Sequence, residues 1–335
     1  MSERLLDVTD LAVSFGSGRA SVPAVLDVSL NVDAGEFVCI VGESGSGKSV
    51  TAKTLLGLTR LQGATVSGSV SFEGHDLVAA TERHLRTVRG GRIGFVFQDA
   101  MTALDPVQRV GAQIAEQLRL HRTMTRRAAR AEAITLMTRV GIPRAATRAE
   151  AYPHQFSGGM CQRIMIAIAL ACGPRLIIAD EPTTALDVTI QAQILVELRR
   201  LCREDGIGVL LITHDLGVVA EVADRVVVMY AGRVVEQGTV HEVFTAPHHP
   251  YTQGLLDSMP RIDLPRRGTL RAIPGTPASA SSADSGCSFR TRCAHRFEAC
   301  EELPPLIPSD DSPAHGARCW LPAGQPTARG ARESR

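Results

Sequence analysis

The sequence predicts an α/β fold in which a largely parallel sheet is covered by helices on both faces. Over residues 1–245, short runs rich in β-branched residues alternate with helical stretches, which is the pattern of parallel sheets. A glycine-rich turn joins a buried apolar run to a helix that begins at Lys48. A mainly helical stretch, at about residues 98–172, interrupts the alternation. We therefore expect one α/β domain over residues 1–245 with a helical insert.

The individual elements follow from apolar runs bounded by turn residues. Strands are predicted at Leu5–Phe15, Ala24–Val32, Glu36–Val41, Val70–Phe72, Arg92–Phe97, 175–180, 208–213, 225–230 and 233–238. Helices are predicted at Lys48–Leu58, Val188–Cys202 and Leu216–Ala223, and across most of 109–171 with breaks at Pro143 and Pro153. Proline and serine become dense after His249, so residues 246–285 read as a linker or extended wrap. A small cysteine-rich unit follows at 286–320, and a disordered tail is expected at 321–335.

Composition excludes several classes of function. The 335 residues are 44% hydrophobic and 21% charged, and 36 basic residues against 35 acidic residues leave a net charge of +1. This balance argues against a protein that coats nucleic acid or an anionic membrane. No apolar run reaches the roughly 20 residues that span a bilayer, and the first residues lack a signal-peptide pattern. We expect a cytoplasmic chain with no nucleic-acid partner, whose membrane role would come through other subunits.

The strongest motif is Gly42-Glu43-Ser44-Gly45-Ser46-Gly47-Lys48-Ser49, here called the phosphate loop. It fits G-x-x-x-x-G-K-[ST] between a strand and a helix. Glycines let successive backbone N–H groups face one anion, and the helix directs its positive end to the same point. Lys48 is expected to reach the β- and γ-phosphates, and the Ser49 hydroxyl to help hold Mg²⁺. The loop alone predicts binding of a nucleoside triphosphate.

A second group of candidate residues stands at the ends of later strands. The run LIIADE places Asp180 and Glu181 at the carboxyl end of a buried strand, and this edge of a parallel sheet lies beside the phosphate loop. We expect Asp180 to hold Mg²⁺ and Glu181 to polarise the attacking water. His214 follows the strand GVLLIT and is a candidate contact to the γ-phosphate.

A second anion-binding helix start lies between these two sites. Ser157-Gly158-Gly159, here called the signature segment, leads into an apolar helix, and a serine with two glycines leaves backbone N–H groups open to an anion. One nucleotide site has no obvious need of two such helix starts. Two copies facing each other would use both, because each signature segment could contact the nucleotide on the opposite phosphate loop.

The ordered motifs resemble those of the ATP-binding-cassette (ABC) ATPases over about residues 4–245. The corresponding positions are Phe15 for the adenine-stacking aromatic, Gly42–Ser49, Gln98 for the Q-loop, Ser157-Gly158-Gly159, Asp180 and Glu181, Ala185-Leu186-Asp187 for the D-loop, and His214 for the switch histidine. The resemblance implies an ABC-type fold with an antiparallel β subdomain and a helical subdomain. It also implies that Glu181, His214 and Gln98 serve catalysis, that Asp180, Ser49 and Gln98 serve Mg²⁺, and that Thr51 and Asp187 belong with the nucleotide-binding residues.

Further segments are similar to the ATPase subunits of oligopeptide and dipeptide importers. They are FQDAMTALDP, YPHQFSGGM, DEPTTALDVTIQAQIL and HHPYTQGLLDSMP, and the C-terminal cysteine pattern extends the match to about residue 320. The resemblance implies ATP-driven uptake with a second, paralogous ATPase in a heterodimer. It also implies two membrane permeases, an extracytoplasmic peptide-binding protein, and a peripheral location on the cytoplasmic face of the membrane. A non-peptide cargo such as nickel, an opine or haem, and a non-transport ABC ATPase, remain as alternatives.

Four cysteines crowd into the C-terminal extension, which we define as residues 246–320. Cys287, Cys293, Cys300 and Cys319 have the spacing Cys-x5-Cys-x6-Cys-x18-Cys. Four thiolates can hold a [4Fe–4S] cluster or Zn²⁺, and free thiols are the third possibility. The resemblance favours the iron–sulfur cluster. Cys161, beside the signature segment, stands where the family usually has a basic residue, so a contact is expected to be altered there.

Overall fold

A computed structural model describes residues 3–183, 187–259, 272–282, 285–309 and 312–322. These residues form two sheets with helices around them. The strands, numbered in chain order, are β1 Arg4–Phe15, β2 Val22–Asp33, β3 Phe37–Val41, β4 Thr65–Phe72, β5 His75–Asp76, β6 Ile93–Val96, β7 Leu176–Asp180, β8 Gly208–Ile212, β9 Arg225–Tyr230, β10 Arg233–Thr239, β11 Ile307–Pro308 and β12 Gly316–Ala317. The predicted cassette strands are all present with similar limits, except that β4 begins at Thr65 rather than at the predicted Val70.

The larger sheet has the order β11-β12-β10-β9-β3-β8-β7-β6. Its central pairs β9–β3, β3–β8, β8–β7 and β7–β6 are parallel, as the sequence predicts. Every residue of β3, β7 and β8 is buried, because helices or the second sheet cover both faces. Side chains alternate across β3: Phe37, Cys39 and Val41 join one core cluster, and Val38 and Ile40 join the other.

The smaller sheet is antiparallel and four-stranded, with the order β2-β1-β4-β5. It packs on the face of the central sheet to which Val38 and Ile40 contribute. The register of β1 on β4 pairs Leu6 with Phe72 and Val8 with Val70, and these four side chains are buried. This arrangement is the antiparallel β layer that the resemblance implies.

Eleven α-helices occur in the described part of the chain. They are α1 Lys48–Leu55, α2 Glu82–Val88, α3 Ala100–Ala103, α4 Val110–His121, α5 Arg126–Arg139, α6 Ala145–Arg148, α7 Gly158–Leu170, α8 Val188–Asp205, α9 Leu216–Val222, α10 Val240–Thr245 and α11 Pro250–Asp257. Helices α3–α7 form the helical insert between β6 and β7. Among the described residues, none of these helices combines the length and apolar character needed to cross a bilayer.

Two sequence expectations need correction. Helix α1 ends at Leu55 rather than Leu58, because Gly57 adopts a positive φ of 65°, which ends a helix readily. The predicted linker at 246–285 contains helix α11, whose first turn has Pro250 after the capping side chain of His249, a favourable start for a helix. Residues 260–271 and 283–284 of that linker, like 323–335 of the expected tail, lie outside the described residues.

The C-terminal extension joins the central sheet and is less separate than its composition indicates. Strand β12 pairs antiparallel with β10 through Glu236 and Gln237. The carboxylate of Glu236 is fully buried and accepts hydrogen bonds from the backbone N–H groups of His248 and His249. It also lies 2.8 Å from Nε2 of His315. One buried acid therefore fastens both ends of the extension to the cassette.

Candidate functional site

The phosphate loop links the carboxyl end of β3 to α1 and depends on glycine at two positions. Gly42 and Gly47 have φ values of 155° and 99°, the second of which disfavours a side chain. A Cβ on Gly42 would lie 2.2 Å from the carbonyl oxygen of Met229, and one on Gly47 would lie 2.7 Å from that of Ala24. The backbone of β2 and β9 therefore approaches the loop too closely for any other residue.

Lys48 begins α1 and turns its ammonium group back into the loop. Nζ donates to the carbonyl oxygens of Gly42 at 2.7 Å and Glu43 at 2.9 Å, and the side chain is buried. Burial lowers the pKa of Lys48, while Glu181, Asp180 and Glu43 act in the opposite direction. The ammonium group of Lys48 thus lies among acids and backbone carbonyls. Phosphate oxygens bound in the loop would compete with these carbonyls for its hydrogen bonds.

Ser49 and Asp180 meet at the edge of the sheet where the parallel strands end. The Ser49 hydroxyl donates to a carboxylate oxygen of Asp180 at 2.7 Å, as expected when β7 ends beside the phosphate loop. Burial raises the pKa of Asp180, against the hydrogen bond from Ser49 and the charges of Lys53 and Lys48, which lower it. The side-chain oxygens of Ser49 and Asp180 therefore lie together at this edge of the sheet, where the sequence predicts them.

Glu181, Gln98 and His214 follow three neighbouring strands, β7, β6 and β8. The side chains of Gln98 and His214 both approach the carboxylate of Glu181. The side-chain amide of Gln98 donates to the Glu181 carboxylate at 3.0 Å. Nδ1 of His214 lies 3.5 Å from the same carboxylate oxygen. Glu181 has a positive φ of 46°, which is uncommon outside glycine and is typical of constrained functional positions. The three candidate catalytic residues thus share one location.

A pocket opens over Gln98 and Glu181, beside the phosphate loop. Its described lining is Val22, Pro23, Ala24, Ser44, Gly45, Gly47, Lys48, Ser49, Val50, Gln98, Glu181, Ser279, Ala280 and Ser281. Of the predicted nucleotide contacts in the first part of the chain, Phe15, Gly42, Glu43, Ser46 and Thr51 are not among these residues. Thr51 is fully buried, and its hydroxyl donates to the carbonyl of Gly47 within α1. Phe15 packs in part against the core beneath the antiparallel sheet.

The signature segment stands apart from this pocket. Ser157 caps α7 by accepting from the N–H of Met160, and the exposed Gly158 follows it. Neither residue, nor the buried Gly159, is among the described lining of the pocket. Of the D-loop, Asp187 caps α8 by accepting from the N–H of Ile190, whereas Ala185 and Leu186 lie outside the described residues.

Sequence comparison identifies the family to which these sites belong. A family profile described as "ABC transporter" matches residues 25–184, and one described as "Oligopeptide/dipeptide transporter, C-terminal region" matches residues 235–300. The dipeptide transport ATP-binding protein DppD of Bacillus subtilis is 49% identical over 322 residues, which cover 95% of this chain and 95% of the relative. The chain belongs to the oligopeptide/dipeptide-transporter family of ABC ATP-binding proteins. The resemblance drawn from its motifs is confirmed.

Further relatives support the same family and fold. The oligopeptide transport ATP-binding protein OppD of Salmonella typhimurium is 47% identical over 318 residues, covering 95% of this chain and 94% of that protein. A dimeric post-hydrolysis state of the ATP-binding cassette MJ0796, bound to ADP and Pi, has a TM-score of 0.63 at 30% identity over 70% of this chain and 99% of that one. CbiO1 from Clostridium perfringens, part of the ABC transporter complex cbiONQ, has a TM-score of 0.61 at 27% identity over 72% and 91%. The protein is therefore an ABC-type ATPase.

The extension of this ABC ATPase reaches the nucleotide site, which the sequence alone does not reveal. The hydroxyl of Tyr251 accepts from the backbone N–H of Glu43 at 2.8 Å. The guanidinium of Arg292 forms two hydrogen bonds to the Glu43 carboxylate, at 2.7 and 3.1 Å. Ser279–Ser281 line the pocket. Tyr251 and Arg292 stand in the segments HHPYTQGLL and RC that carry the family resemblance, but no local pattern predicts their contact with the loop.

The four clustered cysteines of the ABC ATPase meet at one small pocket, here called the cysteine pocket. Cys287, Cys293, Cys300 and Cys319 all line it, with His249, Phe289 and Trp320 among its other residues, and none forms a disulfide. Burial raises the pKa of Cys287 and Cys293, and raises that of Cys319 to about 11. Among the residues described by the structure, no three His, Cys, Asp or Glu side chains are arranged to hold a metal ion.

The helical insert contains a cleft whose lining residues begin at Gln108, shortly after Gln98 in the chain. It has a volume of about 470 Å³ and is lined by α4, by α5 and by the segments just before α4 and just after α6. The charged residues of the lining are Arg109, Glu116, Arg119, Arg126, Arg130 and Glu150. Arg109 and Arg130 both form ion pairs with Glu150. Cations outnumber acids in this lining, so the cleft suits an acidic or polar segment of a partner.

Cys161 lies on the inner face of α7. The side chain is fully buried, and its thiol lies 3.5 Å from the carbonyl oxygen of Pro153. Burial raises the pKa of this thiol. At this position the chain therefore has a neutral, buried side chain.

Proposed function

We propose that this ABC ATPase is the ATP-hydrolysing subunit of an importer that takes up oligopeptides or dipeptides across the cytoplasmic membrane. The observation that carries the proposal is the convergence of Lys48, Ser49 and Asp180 with Glu181 at one edge of the sheet. The similarity to proteins named for dipeptide and oligopeptide transport supports the peptide cargo.

The phosphate loop binds ATP in this proposal. The N–H groups of Gly42–Ser49 and the N-terminus of α1 surround the phosphates, and Lys48 exchanges its loop carbonyls for β- and γ-phosphate oxygens. Ser44, Gly45 and Gly47, which line the pocket, border the phosphates directly. The family resemblance alone assigns Phe15 to stack on adenine, because Phe15 is not among the described residues that line the pocket.

Magnesium fits the donors at the edge of the pocket. The hydroxyl of Ser49 and the carboxylate of Asp180, which lie 2.7 Å apart, are the hard oxygen ligands that Mg²⁺ prefers. Together with the side-chain oxygen of Gln98, they would hold the ion. When bound, Mg²⁺ neutralises negative charge on the phosphates.

Glu181 is the general base that this arrangement favours. Its carboxylate accepts a proton as the oxygen of a water molecule bonds to the γ-phosphorus, and the bond from that phosphorus to the bridging oxygen breaks. Gln98 and His214, at 3.0 and 3.5 Å from this carboxylate, orient it toward the water. The products are ADP and phosphate.

Two cassettes complete each site in the proposed cycle. The signature segment, Ser157 to Gly159, is not among the described lining of the pocket of its own chain, so a second ATPase would supply this helix start to the γ-phosphate. Asp187 would lie at the same seam. The dimeric state of the related cassette MJ0796 with ADP and Pi supports this arrangement. The partner here would be a paralogue, as the family resemblance implies.

Two permeases would receive, through the helical insert, the conformational change that follows ATP hydrolysis. The arginine-rich cleft lies just after Gln98, which contacts Glu181 at the reactive centre. A permease loop seated in the cleft would therefore sense hydrolysis through one short segment. Peripheral binding at the cytoplasmic face of the membrane follows, with an extracytoplasmic binding protein delivering the peptide.

The cysteine pocket is assigned to a [4Fe–4S] cluster on the basis of the family resemblance and the convergence of four thiols on one pocket. Among the described residues, no three His, Cys, Asp or Glu side chains are arranged to hold a metal ion. We derive no catalytic step from this group. Zn²⁺ and free thiols remain the alternatives, and analysis of iron and zinc content distinguishes the three.

Isolation of the full chain from its native membrane tests the function. We expect two permeases and a second ATPase to be recovered with it, and uptake of labelled peptide into vesicles of this complex to require ATP. Uptake of nickel, an opine or haem instead would establish one of the alternative cargoes. Recovery without permeases would contradict a role in transport.

A further inference from the structure

The phosphate loop contains an acidic residue whose side chain is held by the C-terminal extension. Glu43 is the second residue of the loop, and its carboxylate is paired with the guanidinium of Arg292, which lies 249 positions later in the chain. The two hydrogen bonds run in parallel from Nη1 to Oε2 and from Nη2 to Oε1. This is the bidentate geometry that makes Arg–carboxylate pairs directional.

Contacts outside the phosphate loop fix the position of the Arg292 side chain. Its side chain is only 3% exposed, and Nε donates to the carbonyl of Pro274 at 2.8 Å. The guanidinium also contacts the carbonyl of Ile273 and the hydroxyl of Tyr230, and it lies 5.8 Å from the ring centres of Tyr230 and Phe289. A guanidinium with this many partners holds one orientation, so it can impose that orientation on Glu43.

The backbone of the same loop residue is held by a second residue of the extension. The hydroxyl of Tyr251 accepts from the N–H of Glu43. Tyr251 is fully buried, and its ring packs against Tyr230 and Phe289 at 4.6 and 5.4 Å between ring centres. Helix α11 therefore fixes the main chain of Glu43 while Arg292 fixes its side chain.

A third contact braces the other end of the loop. The backbone N–H of Gly232 donates to the carbonyl of Ser46 at 3.0 Å. Ala280 of the extension packs on Gly232 so closely that a Cβ there would lie 2.7 Å from the Cβ of Ala280. Ser279 and Ser281, on either side of Ala280, line the nucleotide pocket.

We propose that Arg292 and Tyr251 are positioning residues by which the C-terminal extension holds the phosphate loop in the conformation that binds ATP. A carboxylate in a loop that receives a triphosphate repels the ligand, and its pairing with a buried guanidinium neutralises that charge. Fixing the loop before ATP arrives removes part of the entropy lost on binding. The inference rests on the proposed assignment of Gly42–Ser49 as the ATP-binding loop.

The test measures the affinity of the full chain for a fluorescent ATP analogue and its steady-state ATPase activity. In Arg292→Gln we expect the Kd and the KM for ATP to rise about tenfold, with kcat at saturating ATP within about twofold of the parent protein. Tyr251→Phe should raise Kd in the same direction by a smaller factor. A merely structural role would lower the active fraction, and so kcat, without changing KM.

Arg296→Gln is the control, because Arg296 is an exposed arginine of the same extension and is not among the described residues of the cysteine pocket. It should leave the Kd for ATP unchanged. If Arg292→Gln fails to fold, the result of Tyr251→Phe alone tests the inference. Unchanged Kd in either folded variant, or an equal rise in Arg296→Gln, would overturn the inference. Retention of ATP binding in Lys48→Ala would instead refute the loop assignment itself.

Discussion

Gln98 donates its side-chain amide to the carboxylate of Glu181 across 3.0 Å, although 83 positions separate them in the chain. They follow the neighbouring parallel strands β6 and β7, whose register brings their carboxyl ends side by side. Gln98 also begins the segment that leads into the helical insert and its arginine-lined cleft. A displacement of the insert would therefore move a residue in direct contact with the proposed general base.

The first prediction concerns Glu181. Glu181→Gln keeps the size of the side chain but removes its capacity to accept a proton, so we expect kcat to fall by at least about 100-fold. The Kd for ATP should remain within about twofold, because the phosphate loop is unchanged. ATPase assays and equilibrium binding measure the two effects separately. Full hydrolysis by this variant would refute the role of Glu181 as base.

The second prediction concerns Lys48. Lys48→Ala removes the buried ammonium that donates to the carbonyls of Gly42 and Glu43. We expect at least a tenfold rise in the Kd for ATP, since a charge-assisted contact to phosphate is lost. Thermal unfolding without nucleotide checks that the variant folds. The contrast with Glu181→Gln, which binds ATP but does not turn it over, distinguishes ligand binding from chemistry.

The parallel core and its site could be predicted from sequence because both depend on local patterns. Strands such as β3 and β7 are short runs of fully buried residues, and their carboxyl ends in a parallel sheet share one edge. The proximity of Lys48, Asp180 and Glu181 follows from that geometry. The role of glycine at Gly42 also follows from the motif, and the close approach of Met229 explains it physically.

The contacts of the C-terminal extension could not be predicted in the same way. The pairing of Arg292 with Glu43 and of His315 with Glu236 joins residues far apart in sequence, and neither pair has a local signature. Strand β12 has only two residues, too few for an alternating pattern. The sequence does not predict helix α11 because proline and serine are dense around it, although His249 and Pro250 form a normal helix start.

A third prediction addresses the cysteine pocket. Protein purified without oxygen should absorb in the iron–sulfur region and contain about four iron atoms per chain if a [4Fe–4S] cluster is present. Cys300→Ser should lose both signals, because Cys300 lines the pocket. Cys172→Ser is the control, since Cys172 lies at the end of α7 and outside this pocket. Colourless, iron-free protein would contradict the cluster, and its zinc content would then distinguish bound Zn²⁺ from free thiols.

The last prediction concerns stability at low pH. Burial alone would raise the pKa of Glu236, but hydrogen bonds from His315 and from the N–H groups of His248 and His249 hold it below the usual value of 4.5. A carboxyl whose pKa is lower in the folded state stabilises the protein fully above about pH 4.5, and this stabilisation is lost as the pH falls through the folded-state pKa. Glu236→Gln should therefore lower the free energy of unfolding at pH 7 by about 2–4 kcal/mol and flatten its decline below pH 4.5. Denaturant titrations across this range measure both effects, and Glu298→Gln, which changes an exposed acid of the extension, serves as the control. If the two variants gave the same pH profile, Glu236 would not be the acid that fastens the extension to the sheet.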